Sequence, residues 1–158
     1  MDLKRIRRDQ NNQLYIASMR PVFDRRGLFS DTTGDYVTPA EPEPNTEVTI
    51  RFRTAKNNVD RVFFICKGQH YLMTKVETDE CFDYYAYTHL LGEEKLCYHF
   101  EVETGRVSVI YDVRGLVREA NDYYNFVIIP GFKTPKWAKG AVMYQIYVDR
   151  FCNGDTSN

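Results

Sequence analysis

The sequence predicts an all-β fold, an antiparallel β-sandwich over residues 1–130, and three observations carry that prediction. Aromatic residues are abundant, with 12 Tyr and 10 Phe making up most of a 15% aromatic share, and such side chains favour pleated, half-buried surfaces. Short apolar runs recur at roughly ten-residue spacing with turn residues between them. No window sustains the 3.6-residue apolar stripe of an amphipathic helix.

The elements follow in order. Gln13–Met19 forms a short apolar run that reads as a first strand. Arg20 to Asn45 holds Pro21, Gly27, Gly34, Pro39, Pro42 and Pro44, a density of breakers that predicts a long loop or series of turns. Val48-Thr49-Ile50-Arg51-Phe52-Arg53 alternates with period two, sending Val48, Ile50 and Phe52 to one face. The polar turn Ala55–Asn58 leads to Arg61–Cys66, and Gly68 separates that run from Tyr71–Val76, read as the second arm of a hairpin. In Phe82–His89, period two groups Asp83 with Tyr85 and Tyr87, and the charge on Asp83 assigns that face to solvent. Leu96–Val102 alternates cleanly, Glu103–Arg106 is a turn, and Val107–Tyr111 completes a hairpin. Loop residues up to Asp122 precede a last strand, Tyr123–Ile129, stopped by Pro130-Gly131. About seven or eight short antiparallel strands in this pattern make the sandwich immunoglobulin-like.

Residues 131–158 change character. Gly131–Lys136 is linker-like, and Ala141–Val148 is nearly continuous in apolar and aromatic residues, the composition of a strand covered on both faces, as in a parallel sheet or barrel. Its partner strands are expected downstream of Asn158.

Charge and cysteine usage exclude several classes. The 21 Lys+Arg nearly cancel the 22 Asp+Glu, for a net charge of −1, so a basic coat for nucleic acid is not expected. No stretch approaches the roughly 18–20 apolar residues of a membrane span. Polar Asp9–Asn12 follow the basic start where a secretory signal would place an apolar core, and a cytoplasmic location is expected. Cys66, Cys81, Cys97 and Cys152 form no CxxC pair, which argues against a zinc ribbon or a redox pair. Cys66 and Cys97 read as buried free thiols, and His70, His89 and His99 are too scattered to form a metal cluster.

One stretch carries a specific resemblance. Residues 137–158, WAKGAVMYQIYVDRFCNGDTSN, closely resemble the opening of the catalytic barrel of glycoside hydrolase family 13, in its neopullulanase, cyclomaltodextrinase and maltogenic amylase branch. The upstream module resembles the carbohydrate-binding module family 34 domain that precedes that barrel, through Arg51-Phe52-Arg53, Asp60-Arg61-Val62, Phe82–Tyr85 and Tyr123–Phe126. The resemblance implies a sandwich followed by the truncated start of a (β/α)8 barrel. It also implies a parent enzyme that cleaves α-glucosidic bonds with retention, through an Asp nucleophile and a Glu acid/base.

Those carboxylates belong to later barrel strands, so no residue of this chain is expected to be catalytic and the chain itself is expected to hydrolyse no α-glucan. Asp149 and Arg150, at the end of the barrel-like strand, read as a structural ion pair or a rim contact rather than as catalytic groups. The resemblance further implies calcium in the parent enzyme, with Asn153, Asp155 and Asn158 at ligand positions of the Asn-Gly-Asp turn; the same turn is also simply good turn chemistry, and the chain alone is expected to bind calcium weakly or not at all.

Glucan modules dock pyranose C–H faces on aromatic rings, with polar neighbours serving the hydroxyls. Most rings here must build the core, and three stand apart as substrate-binding candidates. Tyr71, beside His70 and Gly68, matches a loop that in the family's dimers reaches toward the neighbouring active site. Tyr123 and Tyr124, flanked by Asp122 and Asn125, read as an exposed pair. Trp137, the only Trp, reads as an interdomain packing residue. The leading function is a noncatalytic domain binding α-glucan oligosaccharides beside its own catalytic domain. The alternative is a structural or dimerisation domain with little sugar affinity, supporting a homodimer of the parent. An immunoglobulin-like protein-recognition module ranks last, because it leaves residues 137–158 unexplained.

Overall fold

The computed structural model describes residues 24–105, 107–143 and 145. The run at 13–19 and most of the barrel-like run at 141–148 lie outside them, as do Cys152, Asp149, Arg150 and the three calcium candidates Asn153, Asp155 and Asn158.

Among the described residues, ten strands form two antiparallel sheets. They are β1 (Val37–Thr38), β2 (Glu47–Ala55), β3 (Arg61–Cys66), β4 (Gln69–Leu72), β5 (Thr74–Thr78), β6 (Phe82–Leu90), β7 (Leu96–Thr104), β8 (Val107–Asp112), β9 (Gly115–Val117) and β10 (Phe126–Ile128). One sheet has the order β1-β2-β6-β5; the other runs β4-β3-β7-β8-β9, with β10 also paired to β7. The fold is the all-β sandwich that the sequence predicts.

Alternation in β2 and β7 places Val48, Ile50 and Phe52 opposite Tyr98, Phe100 and Val102, all fully buried. Aromatic rings join the layers: Phe52 meets Phe100 at 4.6 Å and Tyr111 at 5.1 Å, and Phe64 meets Tyr87 at 5.2 Å. Truncating any one of the buried Phe rings to Ala would cost about 3–5 kcal/mol. Cys66 is buried and Cys97 half-buried, both as free thiols. Cys66 faces the core beside Phe64 on β3, and Cys97 faces outward between Leu96 and Tyr98.

The structure corrects four local readings. Residues 71–76 are not one hairpin arm: β4 pairs with β3, whereas β5 pairs with β6 in the other sheet. The chain crosses at Met73, whose buried side chain and N–H donated to the Val62 carbonyl (2.9 Å) pin the corner. The two faces of β6 are reversed. Asp83 and Tyr85 point inward, because Asp83 accepts from Lys75 Nζ (2.7 Å), Thr78 Oγ1 (2.7 Å) and the Asn57 N–H (2.9 Å). Burial alone would push this carboxyl up, but the bonds from Lys75, Asn57 and Thr78 outweigh it and hold it below the usual carboxylate range. The breaker-rich segment contains β1 and a bridge from Phe29 to Arg53. The last strand is limited to β10, and the residues read as loop before it include β9.

Candidate functional site

The turn joining β3 to β4 is two residues long, and Lys67 (φ 49°) and Gly68 (φ 73°) both occupy the left-handed region, the requirement of a type I′ hairpin. The chain therefore reverses at once, and Tyr71 lies within edge strand β4 rather than in a loop. Its ring stacks on Tyr87 of β6 at 5.1 Å, and Tyr87 in turn stacks on Phe64 at 5.2 Å. His89 joins the cluster at 5.6 Å from Phe64 and 6.3 Å from Tyr71. Burial, and then the nearby Lys67 ammonium, lower its pKa and favour neutral imidazole. Tyr71 and His89 open onto a cavity of about 470 Å3 whose rim carries Lys67, Gln69, Glu93 and Lys95.

Tyr123 and Tyr124 sit in a short 3-10 turn, Asp122–Tyr124, immediately before β10. Asn121 caps it by accepting the Tyr123 N–H on Oδ1 (3.0 Å), and the Asn125 side chain donates back to Asp122 Oδ1 (3.2 Å). The two rings meet edge-on at 5.0 Å. Arg114 lies over Tyr124 at 4.1 Å, itself gripped by buried Asp112 through Nη2 (2.6 Å) and Nε (3.1 Å). Tyr124 is thus braced from behind, while Tyr123 stands 86% exposed.

Beside this turn, on the outer face of the six-stranded sheet, lies a cavity of about 590 Å3 lined by Ile65, Lys67, Lys95, His99, Asp122 and Asn125. His99 Nδ1 and Asn125 Oδ1 are 3.0 Å apart. Lys67 and Lys95 border both cavities, so the structure brings Tyr71 and the Tyr123–Tyr124 turn to the same end of the sandwich. Sequence reading missed Tyr87 and His89 as ring partners of Tyr71, and missed the two lysines and His99. The only local signal was the Asn and Asp flanking Tyr123 and Tyr124. Trp137 is 75% exposed. Among the described residues no group of three His, Cys, Asp or Glu could hold a metal ion, and no helix is long and apolar enough to cross a membrane.

Residues 35–131 match the family described as "Alpha amylase, N-terminal ig-like domain". The chain belongs to that family. It is 30% identical over 135 residues to the cyclomaltodextrinase of Thermoanaerobacter pseudethanolicus, covering 75% of this chain and 24% of that protein. It is likewise 30% identical over 146 residues to neopullulanase 2 of Thermoactinomyces vulgaris, covering 83% and 24% respectively. Among solved structures, a cyclomaltodextrinase superposes with a TM-score of 0.60 at 26% identity, covering 87% of this chain and 25% of that one. A maltogenic amylase from S. marinus shares the fold, with a TM-score of 0.55 at 20% identity over 88% of this chain and 20% of its own. The chain thus spans about a quarter of the length of the curated relatives it matches. It carries the N-terminal domain of the α-amylase-family branch that holds the cyclomaltodextrinases, neopullulanases and maltogenic amylases.

Proposed function

We propose that this chain is a noncatalytic α-glucan-binding domain of an α-amylase-family glycoside hydrolase, taking starch, maltodextrin or cyclodextrin chains. The observation that carries the reading is the Tyr123–Tyr124 turn. An exposed ring is normally left mobile, but here the backbone beneath it is capped and its neighbour is clamped by Arg114 and Asp112. A ring fixed in this way loses little further entropy when a pyranose face docks on it. The adjoining cavity supplies Lys67, Lys95, Asp122 and Asn125 for hydroxyl groups.

The parent enzyme would supply the retaining hydrolysis of α-glucosidic bonds from residues outside this chain. Asn153, Asp155 and Asn158 would serve calcium in that parent, where carboxylate and amide oxygens suit a hard cation.

A second reading, a structural or dimerisation domain, draws on the exposed apolar side chains of Leu72 (58%), Ile129 (55%) and Phe132 (60%), which suit docking against the catalytic domain or a second subunit. Amide-shift titration of the 158-residue chain with β-cyclodextrin or maltoheptaose separates the two. Glucan binding requires saturable shifts at residues 122–125 that disappear in Tyr123→Ala. A silent spectrum would leave the structural reading standing.

A further inference from the structure

The two tyrosine clusters above lie around the six-stranded sheet and the mouth between the sheets. The outer face of the four-stranded sheet holds a separate groove of about 430 Å3, lined by Asp35, Tyr36, Thr38, Arg51, Glu77 and Tyr84 together with Gly34.

A β-bulge in β5 builds one wall. Lys75 is opposite Tyr85 and Glu77 is opposite Tyr84, so one extra residue separates them in register. In a regular strand, residues two apart share a face. The bulge instead sends Lys75 inward to Asp83 and Glu77 outward to Arg51, whose Nη2 it meets at 2.6 Å. Arg51 lies over the Tyr84 ring at 5.0 Å, and its backbone N–H donates to the Tyr36 carbonyl (2.8 Å), tying the opposite wall to β2. Tyr36 is held edge-on by Phe29 at 5.2 Å. Thr38 Oγ1 reaches back to the Gly34 carbonyl at 3.4 Å. Asp35 is exposed and makes no side-chain hydrogen bond with the described residues.

The groove therefore presents a guanidinium fixed by Glu77, the exposed carboxylate of Asp35 and the Tyr36 hydroxyl, beside the Tyr84 ring. Burial raises the pKa of Tyr36, so it keeps its O–H as a donor, whereas the Tyr84 O–H is already given to Asp79 Oδ2 (3.2 Å) and leaves its ring and oxygen lone pairs to the groove. Asp35 and Glu77 repel an anion, Arg51 repels a cation, and the largely polar lining gives an apolar ligand little to bury. Alternating donors and acceptors beside aromatic rings match the vicinal hydroxyls of a neutral sugar.

We infer that this groove is a second α-glucan-binding surface, on the opposite sheet from the Tyr123 cluster. The inference rests on the glucan-binding reading above, and it makes the domain bivalent, able to engage two chains or two stretches of one chain.

The test is an amide-shift titration of the 158-residue chain with maltoheptaose, repeated on Tyr123→Ala, Asp35→Ala and Glu77→Ala. Saturable shifts at Asp35, Thr38, Glu77 and Tyr84 are expected in the wild type and in Tyr123→Ala. Asp35→Ala, which removes an exposed side chain without structural bonds, should weaken those shifts about tenfold, as should Glu77→Ala; a tenfold loss is what one charge-assisted hydrogen bond is worth. Both variants should leave the response at 122–125 intact. Shifts at 122–125 alone would overturn the second surface and leave the first reading standing. No shift anywhere would overturn both.

Discussion

Asp83 is one of two buried charged residues among the described residues, with Asp112, and its removal has a calculable cost. The carboxylate is buried on the inner face of β6 and accepts three hydrogen bonds, two on Oδ2 from Lys75 and Asn57 and one on Oδ1 from Thr78. Asp83→Ala leaves the Asn57 N–H and the Thr78 hydroxyl without their acceptor. Lys75 loses its partner but is 41% exposed and regains water, so the penalty stays below that of a fully buried pair. We expect a loss of about 2–3 kcal/mol, or a fall in Tm of roughly 5–10 °C for a chain of this size.

Asp83→Asn separates charge from shape. The amide can turn its oxygen toward Lys75 and Asn57 and its NH2 toward Thr78, whose hydroxyl rotates to accept. That variant should lose only about 1–2 kcal/mol at neutral pH.

The pH dependence has a definite sign. A carboxyl held below its ordinary range in the folded state contributes stability that is complete above the unfolded value, near pH 4, and disappears as pH falls through the folded value. Asp112, which burial alone would raise but which Arg114 holds low, adds a second such group. In Asp83→Asn the acid slope of stability should flatten by up to about 1.4 kcal/mol per pH unit, the contribution of one proton. Urea denaturation at neutral pH and at a series of values below about pH 4 reads both effects. An Ala variant within about 0.5 kcal/mol of wild type, or an Asn variant with an unchanged acid limb, would refute the role assigned to Asp83.

Two further substitutions test the packing. Tyr98 is fully buried, and its hydroxyl has no hydrogen-bond partner among the described residues; Tyr98→Phe should be neutral or stabilising by up to about 1 kcal/mol by thermal denaturation, and a comparable loss would mean the hydroxyl is satisfied. A Cβ added at Gly27 would fall 2.4 Å from the Ala55 nitrogen and 2.6 Å from its Cβ, so Gly27→Ala should lower stability by about 1–3 kcal/mol in the same assay, and an unchanged Tm would show that this loop does not press on β2.

Much of the fold was legible because β2 and β7 each present an uninterrupted period of two, and a core strand needs no other signal. β6 was misread for a specific reason. A charge within an alternating strand ordinarily marks the wet face, and nothing near Asp83 in the sequence announces that Lys75 and Asn57 converge on it from other elements. The crossing at Met73 was equally silent, since the chain changes sheets there without Gly or Pro and is held by a long-range bond to Val62. Within the candidate site, the exposure of Tyr123 was readable from Asp122 and Asn125 beside it. The stacking of Tyr71 on Tyr87 was not, because the two strands belong to different sheets. The Asp35–Glu77 groove likewise depends on a loop, three strands and the bulge of a fourth, whose register no local pattern specifies.

The most direct measurement of the glucan-binding claim is contact between sugar and ring, read as intermolecular nuclear Overhauser effects in a chain labelled on its tyrosine rings and saturated with maltoheptaose. The account predicts cross-peaks from glucose C–H protons to the Tyr123 ring. Their absence at saturation, or cross-peaks confined to other tyrosines, would contradict it.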